Sequence, residues 1–165
     1  MIVLGIDPGL ANTGFGVVAK RGARFVALDG GVIATDKTDA PERRLASLHS
    51  QLEDIFSAHE IGAVALEDLF FGQNASSALA VGQARGVVLS AAGSREIPCS
   101  SYTPQQVKQA VCGTGRAPKD QVATMVKALL GLPDDPLPDH ATDALAVGVC
   151  HSNHAPFESA LAVAR

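Results

Sequence analysis

Residues 2–6 form an unbroken apolar run rich in β-branched side chains, the pattern of a strand buried on both faces. The run stops at Asp7, and Pro8-Gly9 follows as a turn signal. Residues 14–18, 24–28 and 31–35 read as further strands, with Asp29-Gly30 as a hairpin signal between the last two. The opening is therefore an antiparallel meander of three strands. The period then changes. Leu45, Leu48, Leu52, Ile55 and Phe56 recur at helical spacing, which predicts an amphipathic helix over 41–58. Residues 62–66 are another buried strand, ending at Glu67.

A long helix is expected over 74–94, with Asn74 as N-cap, and a short strand over 97–101. Thr103-Pro104-Gln105-Gln106 has capping-box spacing with proline at the first helical position, so a helix starts there. Gly113-Thr114-Gly115 stops it. Val122, Met125, Val126, Leu129 and Leu130 mark one more amphipathic helix, ended by Gly131 and Pro133. The last helix runs from Pro138-Asp139 to about Asn153. This order predicts an α/β domain with a mixed five-stranded sheet flanked by helices. Residues 1–154 form the single domain, and 155–165 an Ala-rich tail that frays.

A chain of 165 residues and 16.9 kDa buries roughly 70% of its unfolded surface, enough for a core without disulfides or metal staples. At 47% apolar and 18% charged residues the composition is that of a folded protein. Cys99, Cys112 and Cys150 are too few and too scattered for a disulfide framework or a Cys-rich zinc site. They read as reduced thiols. The first ten residues lack a basic leader and are broken by Asp7 and Pro8, unlike a signal peptide. No apolar run approaches the roughly 20 residues that span a bilayer. The expected location is the cytoplasm, with no membrane partner.

The net charge of −4 argues, as an average, against a polyanionic partner. The distribution changes that reading. Between Ser76 and Pro133 stand Arg85, Arg95, Lys108, Arg116, Lys119 and Lys127 against Glu96 and Asp120, a net of +4. Residues 134–143 then hold four acids and no Lys or Arg. A basic stretch meets an acidic cluster.

The acids fall at telling places. Asp7 and Glu67 each end a buried strand, where ligands bind in open α/β sheets. His140 and Asp143 lie three apart on the last helix and share a face. Two carboxylates about 4 Å apart repel by about 4 kcal/mol at an effective dielectric of 20, and no basic residue adjoins them in sequence. Mg²⁺ is the usual hard cation for such a set. Two ions about 3.5–4 Å apart can clamp both oxygens of an in-line phosphoryl displacement. Each residue has an ordinary alternative: Asp7 as a turn residue, Glu67 as a solvated strand end, Asp143 facing water, His140 exposed in a first turn.

Five blocks, GIDPG, ALEDLFFGQN, GQARG, QVKQAVCGTGRAPK and DALAVGVCH, occur in an order and spacing that closely resemble the RuvC family of Holliday-junction resolvases. The resemblance covers residues 2–154. It implies a ribonuclease H-like fold and a homodimeric, Mg²⁺-dependent endonuclease that cuts two like-polarity strands across a four-way DNA junction. It also implies work with the RuvA–RuvB branch-migration machinery. Asp7, Glu67 and Asp143 match the family's acidic residues. Three residues before Asp143 many members carry aspartate; this chain has His140, with Asp139 one place earlier. Asp139 fits an N-cap, so His140 is taken as the fourth ligand. A neutral imidazole leaves the set at −3 and suits Mn²⁺ better than Mg²⁺, so Mn²⁺ is expected to serve as well or better.

For DNA binding the resemblance points to Phe70, which can stack on an unpaired base, while Phe71 is core. It also points to Lys108 and Lys119 near the scissile phosphate. Gly113-Thr114-Gly115-Arg116 leads into a helix start whose amides, with Arg116 and Lys119, can hold a phosphate. Gly82 and Gly86, four apart on the long helix, pack either on the sheet or against a second subunit. The alternative activity is a related ribonuclease H-like nuclease acting on RNA. A nucleotide-dependent kinase or actin-like ATPase would need two such domains. A junction-binding module without catalysis would not need the intact acids.

Overall fold

The structure, a computed structural model, describes residues 1–68 and 75–163. Its order is β1 (Ile2–Asp7), β2 (Asn12–Arg21), β3 (Arg24–Ala34), α1 (Pro41–Ala58), β4 (Ala63–Glu67), α2 (Ala75–Gly93), β5 (Cys99–Tyr102), α3 (Pro104–Cys112), α4 (Lys119–Leu130) and α5 (Asp139–Val163). The five strands form one mixed sheet in the order β3-β2-β1-β4-β5. β1 is antiparallel to β2 and parallel to β4. Its continuous apolar run reflects this central place: Val3, Leu4 and Ile6 are fully buried.

Two cores lie on the two faces of the sheet. Leu48, Leu52, Ile55 and Phe56 of α1 join Ala84 and Val88 of α2 over Leu4, Ile6 and Leu66. On the other face Val107, Val122 and Val126 from α3 and α4 join Leu145 and Val149 of α5 around Val3 and Val18. The capping box at Thr103 forms as its spacing predicts, with Gln106 N–H donating to Thr103 Oγ1 and Thr103 N–H donating to Gln106 Oε1. Asn74, Phe70 and Phe71 lie outside the described residues.

Two elements differ from the sequence expectation. Asp29-Gly30 does not make a hairpin. β3 runs through it as one strand, and the turn is at Gly22, whose φ is +63°. The pairing jumps from Val17↔Asp29 to Val18↔Ala27, so Leu28 is the extra residue of a bulge. The Asp29 carboxylate accepts from Gly30 N–H at 2.8 Å, a local bond that a turn would also use. The second difference is α5, which continues past Asn153 to Val163. Pro156 removes one ladder donor, but Ala155, Ala160, Leu161 and Ala162 are strong helix formers.

α5 lies unusually close to the sheet. A Cβ at Gly5 would stand 2.1 Å from Ala144 O, and one at Gly16 would stand 2.7 Å from the Leu145 side chain. Gly148 on the helix meets Val18 in the same way, at 3.0 Å. Glycine at these positions lets the backbone of α5 approach β1 and β2 directly.

Candidate active site

Asp7 and Glu67 close two adjacent parallel strands, with Ile6 paired to Leu66 just before them. Both carboxylates therefore stand at the same edge of the sheet. The first turn of α5 crosses this edge. His140 Nδ1 lies 2.7 Å from Asp7 Oδ2, and Asp7 is 17% and His140 48% exposed. Asp143, one turn further on, faces the same place and shares a cavity wall with Glu67. The structure thus brings Asp7, Glu67, His140 and Asp143 together from three elements.

The acids of the cluster are compensated unequally, and Glu67 least. Burial, then the charges of Asp7 and Asp143, push the Glu67 carboxyl up to about 7; Lys119 and Lys108 oppose the shift weakly. Burial also raises Asp143, against the pull of Lys119. Among the described residues Glu67 has no ion-pair partner. Asp7 is held by His140, and Asp143 Oδ2 lies 3.5 Å from Lys119 Nζ.

This donor set fits a divalent cation in chemistry. It offers three carboxylates and an imidazole, with a surplus of negative charge that opposes Glu67 ionisation. Among the described residues, as they stand, no three metal-binding side chains are gathered tightly enough to ligate one ion. His140 Nδ1 lies beside Asp7 and Lys119 Nζ beside Asp143.

Asp139 is not an N-cap. It is the first residue of α5, and its Oδ2 lies 3.1 Å from Lys119 Nζ. The reason is the approach of α4, which brings Lys119 over the first turn of α5. Asp139 points away to that lysine, while His140 faces Asp7.

Beside the carboxylates, Glu67, Asp143, Lys108, Lys119, Val107 and Val122 line a half-enclosed cavity of about 150 Å³. Lys108 and Lys119 are thus drawn to the acids. Arg116 is exposed in the turn before α4, with its N–H donating to Thr114 Oγ1 at 3.4 Å. The basic stretch is less free than its count implies. Arg95 pairs with Glu53 and lies over the Phe56 ring. Lys127 Nζ donates to Asp134 O at 3.0 Å. Arg85 donates to the Glu67 carbonyl at 3.1 Å and pairs with Asp68 at 3.6 Å. Those three cations are engaged within the fold.

Arg85, in sequence one cation of the basic stretch, supports the site. It anchors the end of β4, and with it Glu67, to α2. Its position in GQARG was visible, but its partner lies 18 residues away and carries no local signal.

The family model described as crossover junction endodeoxyribonuclease RuvC matches residues 3–151. The crossover junction endodeoxyribonuclease RuvC of Moorella thermoacetica is 49% identical over 157 residues, covering 95% of this chain and 94% of that protein. The solved structure of Thermus thermophilus RuvC in complex with Holliday junction substrate superposes with a TM-score of 0.91 at 40% identity, over 96% of each chain. The yeast mitochondrial Holliday junction resolvase Ydc2 shares the fold, with a TM-score of 0.64 at 16% identity over 90% of this chain and 76% of that one. The mixed sheet with acids at the ends of β1 and β4 and on α5 is a ribonuclease H-like nuclease fold, and the chain belongs to the RuvC family of crossover junction endodeoxyribonucleases.

Proposed function

We propose that this chain resolves Holliday junctions as an endodeoxyribonuclease, cutting phosphodiester bonds at the carboxylate cluster with the help of divalent cations. The observation that carries this reading is the meeting of Asp7, Glu67, His140 and Asp143 at one sheet edge beside a basic cavity. Such a cluster repels a phosphate unless cations intervene. Asp7, Glu67, His140 and Asp143 are the residues that would hold them. Bound there, Mg²⁺ or Mn²⁺ would polarise the phosphate, supply a hydroxide-like nucleophile and offset the leaving oxygen's charge.

The chain's own groups do the rest. Lys108 and Lys119, in the cavity wall, attract the DNA backbone and oppose the field of the acids. The Arg116 side chain, with the amides of Thr114 and Gly115, binds a neighbouring phosphate. Phe70 is assigned to base stacking by the family resemblance alone.

The partner of greatest consequence is a second copy. On α2 the exposed residues Leu79, Gly82, Gly86, Leu89 and Gly93 follow each other at steps of three and four. A Cβ at Gly82 or Gly86 would meet nothing within 4 Å. The glycines therefore do not pack on the sheet, which supports the second of their two expected roles, contact with a second subunit. Leu79 is 67% exposed, and the stripe has no charged residue. A helix apolar on its outer face as well as its inner one is a buried helix awaiting cover. Two such helices at a two-fold axis would give one active site per strand of a two-fold symmetric junction.

Among the described residues no helix is long and apolar enough to cross a membrane. We infer work on DNA beside the branch-migration partners RuvA and RuvB, and with it a cytoplasmic location.

The test is incubation with a synthetic four-way junction in Mg²⁺ or Mn²⁺, beside linear duplex DNA and structured RNA, with Asp7→Asn as control. Metal-dependent, symmetric junction cleavage that Asp7→Asn abolishes is the expected result. Preferential cutting of RNA would instead support a related nuclease with another substrate.

A further inference from the structure

A second basic groove opens on the other side of His140. It has a volume of about 430 Å³ and is lined by residues 9–12 of the β1–β2 turn, Lys37, Arg44, Ala80, Val81 and His140. The cavity of Lys108 and Lys119 is walled by α3, α4 and α5. This groove belongs to the layer of α1 and α2 on the opposite face of the sheet. The carboxylate cluster lies between the two.

The groove contains no aspartate or glutamate in its lining. Arg44 is half-buried and held by its inner nitrogen: Nε donates to Thr35 Oγ1 at 3.0 Å, and that hydroxyl donates on to the Leu10 carbonyl. The two terminal nitrogens have no partner among the described residues. Asp36, on the same segment, accepts from Thr38 N–H and Oγ1 at 2.8 Å each; these bonds, and after them the more distant Arg44 charge, lower its carboxyl, but it makes no hydrogen bond or ion pair with Arg44 among the described residues. Lys37 is exposed and makes no ion pair among the described residues. A guanidinium fixed at Nε with its outer fork open is pre-organised for a bidentate oxyanion such as a phosphodiester.

We propose that this groove binds the phosphodiester backbone of the DNA strand on the flank of the cutting site away from Lys108 and Lys119. The strand would then be gripped on both sides of the carboxylates, whose field would otherwise repel it. The proposal rests on the junction-cleaving function and adds a binding site to it. Arg44 supplies the oriented fork and Lys37 the mobile charge.

The experiment measures affinity for a synthetic four-way junction in Mg²⁺ against salt concentration, on an Asp7→Asn background that prevents cutting. Lys37→Gln/Arg44→Gln is compared with Arg21→Gln/Arg24→Gln, which removes equal charge at the opposite end of the sheet. The expected result is about tenfold weaker binding and a salt slope smaller by about 1–2 for the groove pair, with little change for the control. Arg44→Lys should lose part of the affinity, since it keeps charge without the fork. Lys37→Gln, which breaks no described contact, should by itself lower the slope by about 1 even if an Arg44 variant misfolds. Equal behaviour of the groove and control pairs overturns the proposal. Failure of the Asp7→Asn parent to bind the junction overturns the functional reading and this proposal with it.

Discussion

A Cβ placed on Gly14 would stand 1.9 Å from the carbonyl oxygen of His140 and 3.0 Å from that residue's own Cβ. Gly14 is also the residue paired with Asp7 across β1 and β2. The same glycine therefore sits opposite one acid and beneath the turn that carries His140 and Asp143. Any side chain here must lift the start of α5 off the sheet. Gly14→Ala is expected to cost about 1–3 kcal/mol of stability through overpacking. Its effect on cutting should be larger, about 100-fold, because a displacement near 1 Å disorders the site. Thermal melts together with single-turnover cleavage of a four-way junction check this. A loss of activity no greater than the loss of folded protein would show that the contact is only structural.

Glu67 supplies a pH dependence whose sign follows from its surroundings. Its carboxyl is raised from 4.5 to about 7 in the folded chain, chiefly by burial and then by Asp7 and Asp143. Between those values the folded chain binds more protons than the unfolded one. Metal-free stability should therefore fall as pH rises from about 4.5 to about 7. The group is partly exposed, so solvent screening reduces the effect to about 1–2 kcal/mol. In EDTA, Glu67→Gln should be more stable than the parent at pH 8, with the difference vanishing towards pH 5. A difference independent of pH would count against the assignment. Added Mg²⁺ should stabilise the parent more than the variant.

The features legible in the sequence were those set by local pattern. The buried run ending at Asp7, the strand ending at Glu67 and the capping box at Thr103 each carry their signal within a few residues. The end of one strand beside another then follows from the parallel pairing of β1 and β4. What could not be read were relations fixed by tertiary approach. Asp29-Gly30 has turn chemistry, but the sheet absorbs it as a bulge beside Val17 and Val18. Arg85 and Arg95 look like free cations until the fold brings Asp68, the Glu67 carbonyl and Glu53 to them. The roles of Asp139 and His140 depend on Lys119, whose helix crosses above them. The −4 net charge misled in the same way, since it averages an acidic cluster with two basic grooves on either side of it.

His140 and Asp139 are adjacent in sequence and diverge in space. His140 Nδ1 faces Asp7 at 2.7 Å, and Asp139 faces Lys119 at 3.1 Å. His140→Ala is expected to abolish cleavage, with at least a 100-fold fall, while junction binding persists. Asp139→Ala should reduce cleavage by less than about tenfold. The reverse order would shift the ligand assignment by one residue. Because imidazole suits Mn²⁺ better than Mg²⁺, cleavage in Mn²⁺ should equal or exceed that in Mg²⁺. His140→Asp should move the balance towards Mg²⁺. A metal titration of junction cleavage reads both effects.

The outer stripe of α2 offers a test that separates one cut from two. Leu79 and Leu89 flank Gly82 and Gly86 on its exposed side, where close helix approach needs small residues. Leu79→Glu or Gly86→Glu places a charge in the middle of the proposed dimer contact without touching the carboxylates. Each is expected to yield a monomer by sedimentation at concentrations where the parent is a dimer. On a supercoiled plasmid with an extruded cruciform, the parent's two coordinated cuts should release linear DNA. A monomer holds one set of Asp7, Glu67, His140 and Asp143 and so should give nicked circles. A charged variant that stays dimeric and still linearises the plasmid would remove α2 from the interface. A monomeric variant that still linearises it at the parent's rate would show that paired cutting does not depend on that interface.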